Sequence, residues 1–106
     1  MAYSGTHDND TALGWYQSAP EKEKDFYRRY LARSGENVSW DLIRAVWSSV
    51  ANMAIAPLQD FLSLGSEARM NFPGKASGNW SWRVLPDQIS TDLSGRIQEI
   101  NYLYSR

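Results

Sequence analysis

The spacing of apolar residues is the feature that most restricts how this chain can fold. Over residues 18–35, 39–51 and 91–106, large apolar side chains recur every three or four positions, the period of an amphipathic α-helix. Only residues 53–56 form a short continuous apolar run, of the kind that a buried parallel strand shows. The chain is therefore predicted to be predominantly α-helical, with at most one or two short strands.

Residues at the ends of these segments favour the same helices. Ser18 and Glu21 have the spacing of a capping box, and Gly35 can provide a left-handed stop. Ser39 can cap the second helix. The side chains predicted to be buried are Phe26, Tyr27, Tyr30 and Leu31 in the first helix, Trp40, Ile43, Trp47 and Val50 in the second, and Leu93, Ile97, Ile100 and Tyr104 in the last.

The stretch between the second and last helices is predicted to be largely irregular. A single helical turn is expected from Pro57 to Leu62, closed by Gly65. Residues 66–86 are interrupted repeatedly by Gly, Asn, Pro and Ser, which favours an ordered loop. Loops of about 20 residues in compact domains usually serve a function. With 106 residues, the chain fits a single unit without an internal boundary.

Composition argues against several classes of protein. The formal net charge is -1, without a basic surface for nucleic acid or a polybasic run for an anionic membrane. There is no cysteine and no signal-peptide pattern, so a cytoplasmic location is expected. Five tryptophans and six tyrosines provide many aromatic faces, which either pack against sugar rings or simply fill a small core.

The polar run His7-Asp8-Asn9-Asp10 is the strongest candidate for a site. A calcium loop does not fit, since its turn glycine would come one position late and its twelfth position is not acidic. A single histidine without cysteine makes a poor zinc site, and neither a nucleophile elbow nor a phosphate-binding loop is present. No metal and no cofactor are predicted. Hydrogen bonding to a neutral polyol remains.

A structural role for the same run is the alternative. Asp10 is predicted to cap the helix that begins near Thr11 rather than to bind a ligand. Judged by residue type alone, His7 and Asp8 could equally well bind a polyol or hydrogen-bond the backbone of a structural loop.

Four short motifs follow one another along the chain. They are GTHDNDTALGWY at 5–16, LQDFLSLG at 58–65, ARMNFPG at 68–74 and GNWSWR at 78–83. In this order they resemble the C-terminal part of the amylomaltases, the 4-alpha-glucanotransferases of glycoside hydrolase family 77. The departure from the commoner GLG form at 63–65 is expected to be harmless. The resemblance implies the last βα units of a (β/α)8 barrel, a fold that needs about 250 residues.

The resemblance also implies a function. Members of the family move α-1,4-glucan segments between acceptors with retention of configuration, which requires a nucleophile and an acid/base carboxylate. Asp8 matches a third carboxylate that stabilises the transition state, His7 matches a neighbour that binds the same ring, and Asn71 matches a residue of the donor-sugar site. The nucleophile and the acid/base are expected upstream of this C-terminal fragment, so the isolated chain is expected to be inactive.

The remaining motif residues are expected to have supporting roles. Gln59, Asp60 and Arg69 are expected to brace the loops in preference to contacting substrate. Packing at the end of the barrel is expected for Trp80, Trp82 and Arg83, with contact with the glucan as the less favoured alternative.

The predicted partner is an α-1,4-glucan or malto-oligosaccharide, with no nucleic acid and no membrane. Because the strand at 53–56 would lack neighbours, the chain alone is expected to fold as a helical unit that forms homo-oligomers to cover apolar surface. The alternative function is a small helical protein-interaction module. It explains the helices and the tryptophans, but not the four motifs in order.

Overall fold

Five α-helices and one pair of short strands make up the chain, which a computed structural model describes over residues 1–106. The elements are β1 (Ala2–Tyr3), α1 (Ala12–Ser18), α2 (Glu21–Leu31), α3 (Val38–Trp47), β2 (Ala54–Ile55), α4 (Leu58–Phe61) and α5 (Thr91–Leu103). Between α4 and α5 the backbone is irregular apart from two 3-10 turns, at Ser66–Ala68 and Pro86–Gln88. The predicted helical chain with two short strands is confirmed. No helix is both long and apolar enough to span a membrane.

The two strands pair in parallel, although 50 residues of chain separate them. Ala2 lies opposite Ala54 and Tyr3 opposite Ile55. The Ala2 N–H donates to the Met53 carbonyl at 2.8 Å, and the Ser4 N–H donates to the Ile55 carbonyl at 3.2 Å. In parallel sheets the loops that leave the carboxyl ends of the strands meet at one edge, where ligands usually bind. Here the polar run follows β1 and α4 follows β2.

The apolar core lies between α3 and α5. Trp40, Ile43 and Trp47 are buried there with Ile100. Phe61 of α4 packs edge-on against both indoles, with ring centroids 5.6 and 5.8 Å away. The stripes predicted for these two helices are thus confirmed at their centres. Val50 is the exception: α3 ends at Trp47, and the Val50 side chain is exposed.

Helix α2 is shorter and less covered than its periodicity predicts. It begins after Pro20 without a side-chain cap, because Ser18 belongs to α1 and donates to the Gly14 carbonyl. Its left-handed end is Ala32, at φ 54°, instead of Gly35. Of the predicted buried stripe, Tyr27 is buried and Leu31 is half-buried, while Phe26 and Tyr30 are 69% and 79% exposed.

Tyr27 explains why only one edge of α2 is buried. Its ring packs against Tyr16 and Trp15 of α1, with centroids 5.3 and 6.1 Å away, and its hydroxyl donates to Asp41 of α3 at 3.2 Å. Burial, reinforced by the Asp41 charge, raises the pKa of Tyr27 above its usual value, so the hydroxyl stays a neutral donor. Phe26 and Tyr30 stack on each other outside this contact.

The beginning of α3 also differs from the prediction. Asn37 stands at the cap position, and Ser39 lies within the first turn. Ser39 is buried, and its hydroxyl has no hydrogen-bond partner in the structure. The prediction that Ser39 caps this helix is therefore wrong.

Two helical glycines have opposite surroundings. A Cβ added at Gly14 would lie 2.8 Å from Asp10 Cγ and would also collide with Ser66 Oγ. A Cβ added at Gly95 would meet nothing within 4 Å. Position 14 therefore requires glycine, because Asp10 and Ser66 leave no room for a side chain. At position 95 no neighbour requires glycine, which there only weakens the helix.

The Gly14→Ala and Gly95→Ala variants are expected to change stability in opposite directions. Gly95→Ala should raise the free energy of unfolding by about 0.5–1 kcal/mol, since alanine is the better helix former. Gly14→Ala should lower it by about 1–3 kcal/mol, because the new methyl group overpacks the site. Urea denaturation followed by tryptophan fluorescence measures both. Equal stabilisation by the two alanines would contradict the close contact at Gly14.

Candidate functional site

Residues 6–9 form a tight polar turn after β1. The Asn9 side-chain oxygen accepts hydrogen bonds from the Thr6 N–H at 2.9 Å and from the Thr6 hydroxyl at 3.0 Å. The Asn9 N–H in turn donates to the Thr6 carbonyl at 3.1 Å. Asn and Thr side chains commonly close turns in this way. The turn presents His7 and Asp8, whose side chains are 56% and 50% exposed.

The end of this turn is fixed by Asp10 and Thr11. Thr11 is the N-cap of α1, and its hydroxyl accepts from the Gly14 N–H at 3.1 Å. One oxygen of Asp10 accepts from the Thr11 N–H at 2.8 Å, and the other accepts from the Ser66 hydroxyl at 2.8 Å. The prediction that Asp10 caps the helix is therefore wrong. Asp10 instead ties the turn to the loop that follows α4.

Asp60 holds both ends of the same segment. Its carboxylate is 1% exposed and accepts from the Ser4 hydroxyl at 2.7 Å and from the Ala12 N–H at 2.9 Å. Gln59, beside it in α4, is also buried and donates to the Ala68 carbonyl at 3.1 Å. Both side chains thus brace loops, and both also line the cavity beside His7.

The loop after α4 brings Asn71 to Asp8. The Asn71 amide donates to Asp8 Oδ1 at 2.5 Å. His7 Nε2 lies 3.3 Å from the other oxygen, Asp8 Oδ2. The structure therefore brings together the three residues predicted to bind sugar, although 63 positions separate Asp8 from Asn71.

Arg69 connects the two loops through their backbones. Its Nη2 donates to the Asp8 carbonyl and its Nε to the Asn71 carbonyl, each at 2.9 Å. Its guanidinium also lies over the Phe72 ring, 4.6 Å from the centroid. The planar fork of arginine can hold two acceptors at once in a fixed geometry, which lysine cannot reproduce. Arg69 thus fixes the distance between the loops that carry Asp8 and Asn71.

Trp80 lies beside this cluster. Its ring centroid is 5.1 Å from that of His7, with a 34° angle between the ring planes, and the residue is 57% exposed. The expectation that Trp80 packs at the end of the barrel stays a prediction. Trp82 is half-buried and Arg83 is exposed. The sequence signals for an aromatic side chain at the site are the high tryptophan content and the GNWSWR motif at 78–83.

The cluster supplies hydrogen-bonding groups and no metal site. No group of three or more His, Asp or Glu side chains is arranged to hold a metal ion. A cavity of about 440 Å³ is lined by His7 and Arg69 among others, but not by Asp8 or Asn71. The Asp8 carboxylate is therefore reached from the open side of the turn. A half-exposed carboxylate flanked by an amide and an imidazole can bind the hydroxyl groups of a polyol.

Comparison with known proteins identifies the family. The sequence model of the 4-alpha-glucanotransferases, glycoside hydrolase family 77, matches residues 1–88. The chain belongs to this family. It is 51% identical over 104 residues to the 4-alpha-glucanotransferase of Thermus thermophilus and 50% identical over 107 residues to that of Synechocystis sp.. These alignments cover 92% and 100% of this chain and 21% of each relative, so the chain spans about a fifth of their length.

A solved structure of the family has the same local fold. The amylomaltase from Streptococcus agalactiae in complex with acarbose superposes with a TM-score of 0.92 at 30% sequence identity, over 98% of this chain and 21% of that chain. The family resemblance read from the four motifs is confirmed. The 4-alpha-glucanotransferase fold of this segment is established over its own residues, and the remainder of a (β/α)8 barrel stays a prediction.

Proposed function

We propose that this chain is the part of a 4-alpha-glucanotransferase that binds the reacting sugar of an α-1,4-glucan. The observation that carries the proposal is the contact between Asn71 and Asp8, at 2.5 Å, in a cluster that His7 completes. Family membership supports this enzyme function over a helical interaction module, which would not need a half-exposed carboxylate held in this way.

In this proposal Asp8 stabilises the transition state. Transfer of a glucan segment with retention of configuration passes through a sugar ring with oxocarbenium character. A carboxylate already fixed in place stabilises such a charge more than it stabilises the ground state, and this difference accelerates the reaction. Asn71 holds one Asp8 oxygen, while the second N–H of the Asn71 amide donates to one sugar hydroxyl and the Nδ1 atom of His7 hydrogen-bonds another. The partner of this site is an α-1,4-glucan or malto-oligosaccharide.

The other two carboxylates of a retaining mechanism come, in this proposal, from outside these 106 residues. In retaining enzymes the nucleophile and the acid/base are about 5–5.5 Å apart and face the same bond. Two other carboxylates that line the neighbouring cavity already accept hydrogen bonds within the chain, Asp10 from Thr11 and Ser66 and Asp60 from Ser4 and Ala12. The chain alone therefore binds without catalysing transfer. The cytoplasmic location predicted from the sequence stays a prediction.

We also propose that the isolated chain associates with itself, because several of its large apolar side chains are exposed. Tyr3 and Ile55 on the two-stranded sheet are exposed, as are Phe26 and Tyr30 on α2. Two strands of two residues each leave both sheet edges unpaired, and such edges favour pairing with another chain. A second copy of the chain would cover these surfaces.

Asp8→Asn is expected to lower turnover strongly in a complete enzyme. We define the hybrid enzyme as the Synechocystis 4-alpha-glucanotransferase with its matching segment replaced by residues 1–106. Loss of one preorganised charge should reduce kcat by about 100- to 1000-fold. Release of glucose from maltotriose measures turnover, and Asp87→Asn, an exposed carboxylate in a 3-10 turn, is the matched control. Unchanged turnover in Asp8→Asn would refute the assigned role.

The isolated chain is expected to have no transferase activity, because it lacks a nucleophile. Incubation of residues 1–106 with maltotriose should leave the substrate unchanged by chromatography, whereas the hybrid enzyme should convert it. Appearance of glucose together with longer oligomers would mean that the chain carries a complete site.

The isolated chain is also expected to sediment as a dimer or larger species. Sedimentation velocity over a range of concentrations measures its mass, and Ile55→Lys should shift the distribution toward monomer by placing a charge on the sheet face. A compact monomer at the highest concentration would count against self-association.

A further inference from the structure

Trp80 is the exposed aromatic side chain nearest to the sugar-binding cluster. We propose that its indole is a stacking platform for a second glucose ring of the glucan, next to the ring that Asp8 binds. This inference rests on the proposed function of Asp8, which it extends from one ring to two. The argument has three parts: the backbone at Trp80, its hydrogen bonds, and the open face of its ring.

The backbone at Trp80 is held in an unfavourable conformation. Its φ is +59°, in the left-handed region that bulky residues rarely adopt. Such strain costs of order 1–3 kcal/mol and tends to occur at binding sites, where the surrounding structure maintains it. An exposed tryptophan at this position contributes little buried area in return. Backbone strain at a side chain that lies beside His7 supports a contact between this indole and a ligand.

Hydrogen bonds hold Trp80 close to the residue that binds Asp8. The Trp80 N–H donates to the carbonyl of Met70, the neighbour of Asn71, at 2.6 Å. The loop between them is closed by Asn79, which accepts from the Phe72 N–H at 2.9 Å and donates to the Lys75 carbonyl at 3.0 Å. One loop thus positions both the amide that contacts Asp8 and the indole beside His7.

The ring of Trp80 is the aromatic surface of this loop that remains open. Phe72 is covered by two cations, Arg69 and Lys75, which lie 4.6 and 4.9 Å from its centroid. Trp80 contacts His7 at a tilt and is otherwise largely exposed. The C–H face of a pyranose is apolar while its rim carries hydroxyls, so an indole next to a carboxylate and an amide matches both parts of the sugar.

A competing role is that Trp80 only holds the His7 ring in place. The two roles predict different kinetics. A platform contributes equally to the bound substrate and to the transition state, so its loss raises KM and leaves kcat nearly unchanged. A residue that only orients His7 would lower kcat when removed and would leave KM unchanged.

The Trp80→Asn variant tests whether the indole contributes to glucan binding without lowering the stability of the fold. Asparagine tolerates the left-handed backbone, so thermal unfolding of the variant should occur at the same or a higher temperature. In the hybrid enzyme its KM for maltoheptaose should rise about tenfold, as expected for loss of one aromatic contact with its buried area. Trp80→Phe keeps a flat aromatic face and should recover most of this loss. Trp15→Ala removes an exposed indole that packs against Tyr16 and Tyr27, and should leave KM unchanged.

Binding to residues 1–106 gives a second measurement that does not require the hybrid enzyme. In a chain with ¹⁵N-labelled tryptophan, the indole signal that is missing in Trp80→Asn identifies Trp80. This signal should shift when maltoheptaose is added at millimolar concentration, and the Trp15 signal should not. A Trp80 signal that does not move overturns the platform, even if the hybrid enzyme fails to fold.

The kinetic outcomes distinguish this inference from the proposed function. An unchanged KM in Trp80→Asn, together with the loss of turnover in Asp8→Asn, refutes the platform and leaves the role of Asp8 standing. A lowered kcat with unchanged KM refutes the platform in favour of His7 positioning. If neither substitution has an effect, both proposals are wrong.

Discussion

The buried carboxylate of Asp60 is the interaction on which the arrangement of the site depends. The sheet has only two pairs of residues, so backbone pairing alone fixes the following loop weakly. Asp60 receives a hydrogen bond from Ser4, at the end of β1, and another from the first N–H of α1. Hydrogen bonds to a charged group contribute about 1.5–3 kcal/mol each, and removal of one donor would leave one buried carboxylate oxygen without its partner. The two ends of the turn that carries Asp8 are therefore held by one side chain.

The second loop is fixed to the first by the same kind of contact. Arg69 binds one carbonyl in each loop, and Asn71 binds the Asp8 carboxylate directly. Both contacts hold the Asp8 turn against the loop that follows α4, and a carboxylate fixed in this way needs little reorganisation to stabilise a developing charge. Sites on loops are usually less precise than sites on regular elements, and here the side-chain hydrogen bonds of Arg69 and Asn71 connect two loops that no regular backbone pairing joins.

Periodicity identified the elements but not the contacts between distant residues. The spacing of apolar residues predicts three features that the structure contains. They are the buried stripe of Trp40, Ile43 and Trp47, a short strand within 53–56, and the last helix. The residue that caps α1 does not follow from the sequence, because threonine and aspartate are both good caps. Which of the two caps the helix depends on Ser66, which binds Asp10 from 56 positions away. Likewise a helical period shows that Phe26 and Tyr30 share a face with Tyr27, but not how much of that face another element covers.

The site residues followed from the motifs, whereas their geometry required the fold. Asp8, His7 and Asn71 were assigned by resemblance, and the pairing of their side chains spans 63 positions that no local pattern encodes. An electrostatic contribution to a transition state depends on placement to within about 0.5 Å. Within this segment, Arg69 holds the Asp8 carbonyl, Asn71 holds the Asp8 carboxylate, and Asp60 holds the residues on either side of the turn. These contacts join residues that are up to 63 positions apart, so the position of Asp8 relative to Asn71 depends on tertiary packing and cannot be predicted from the turn alone.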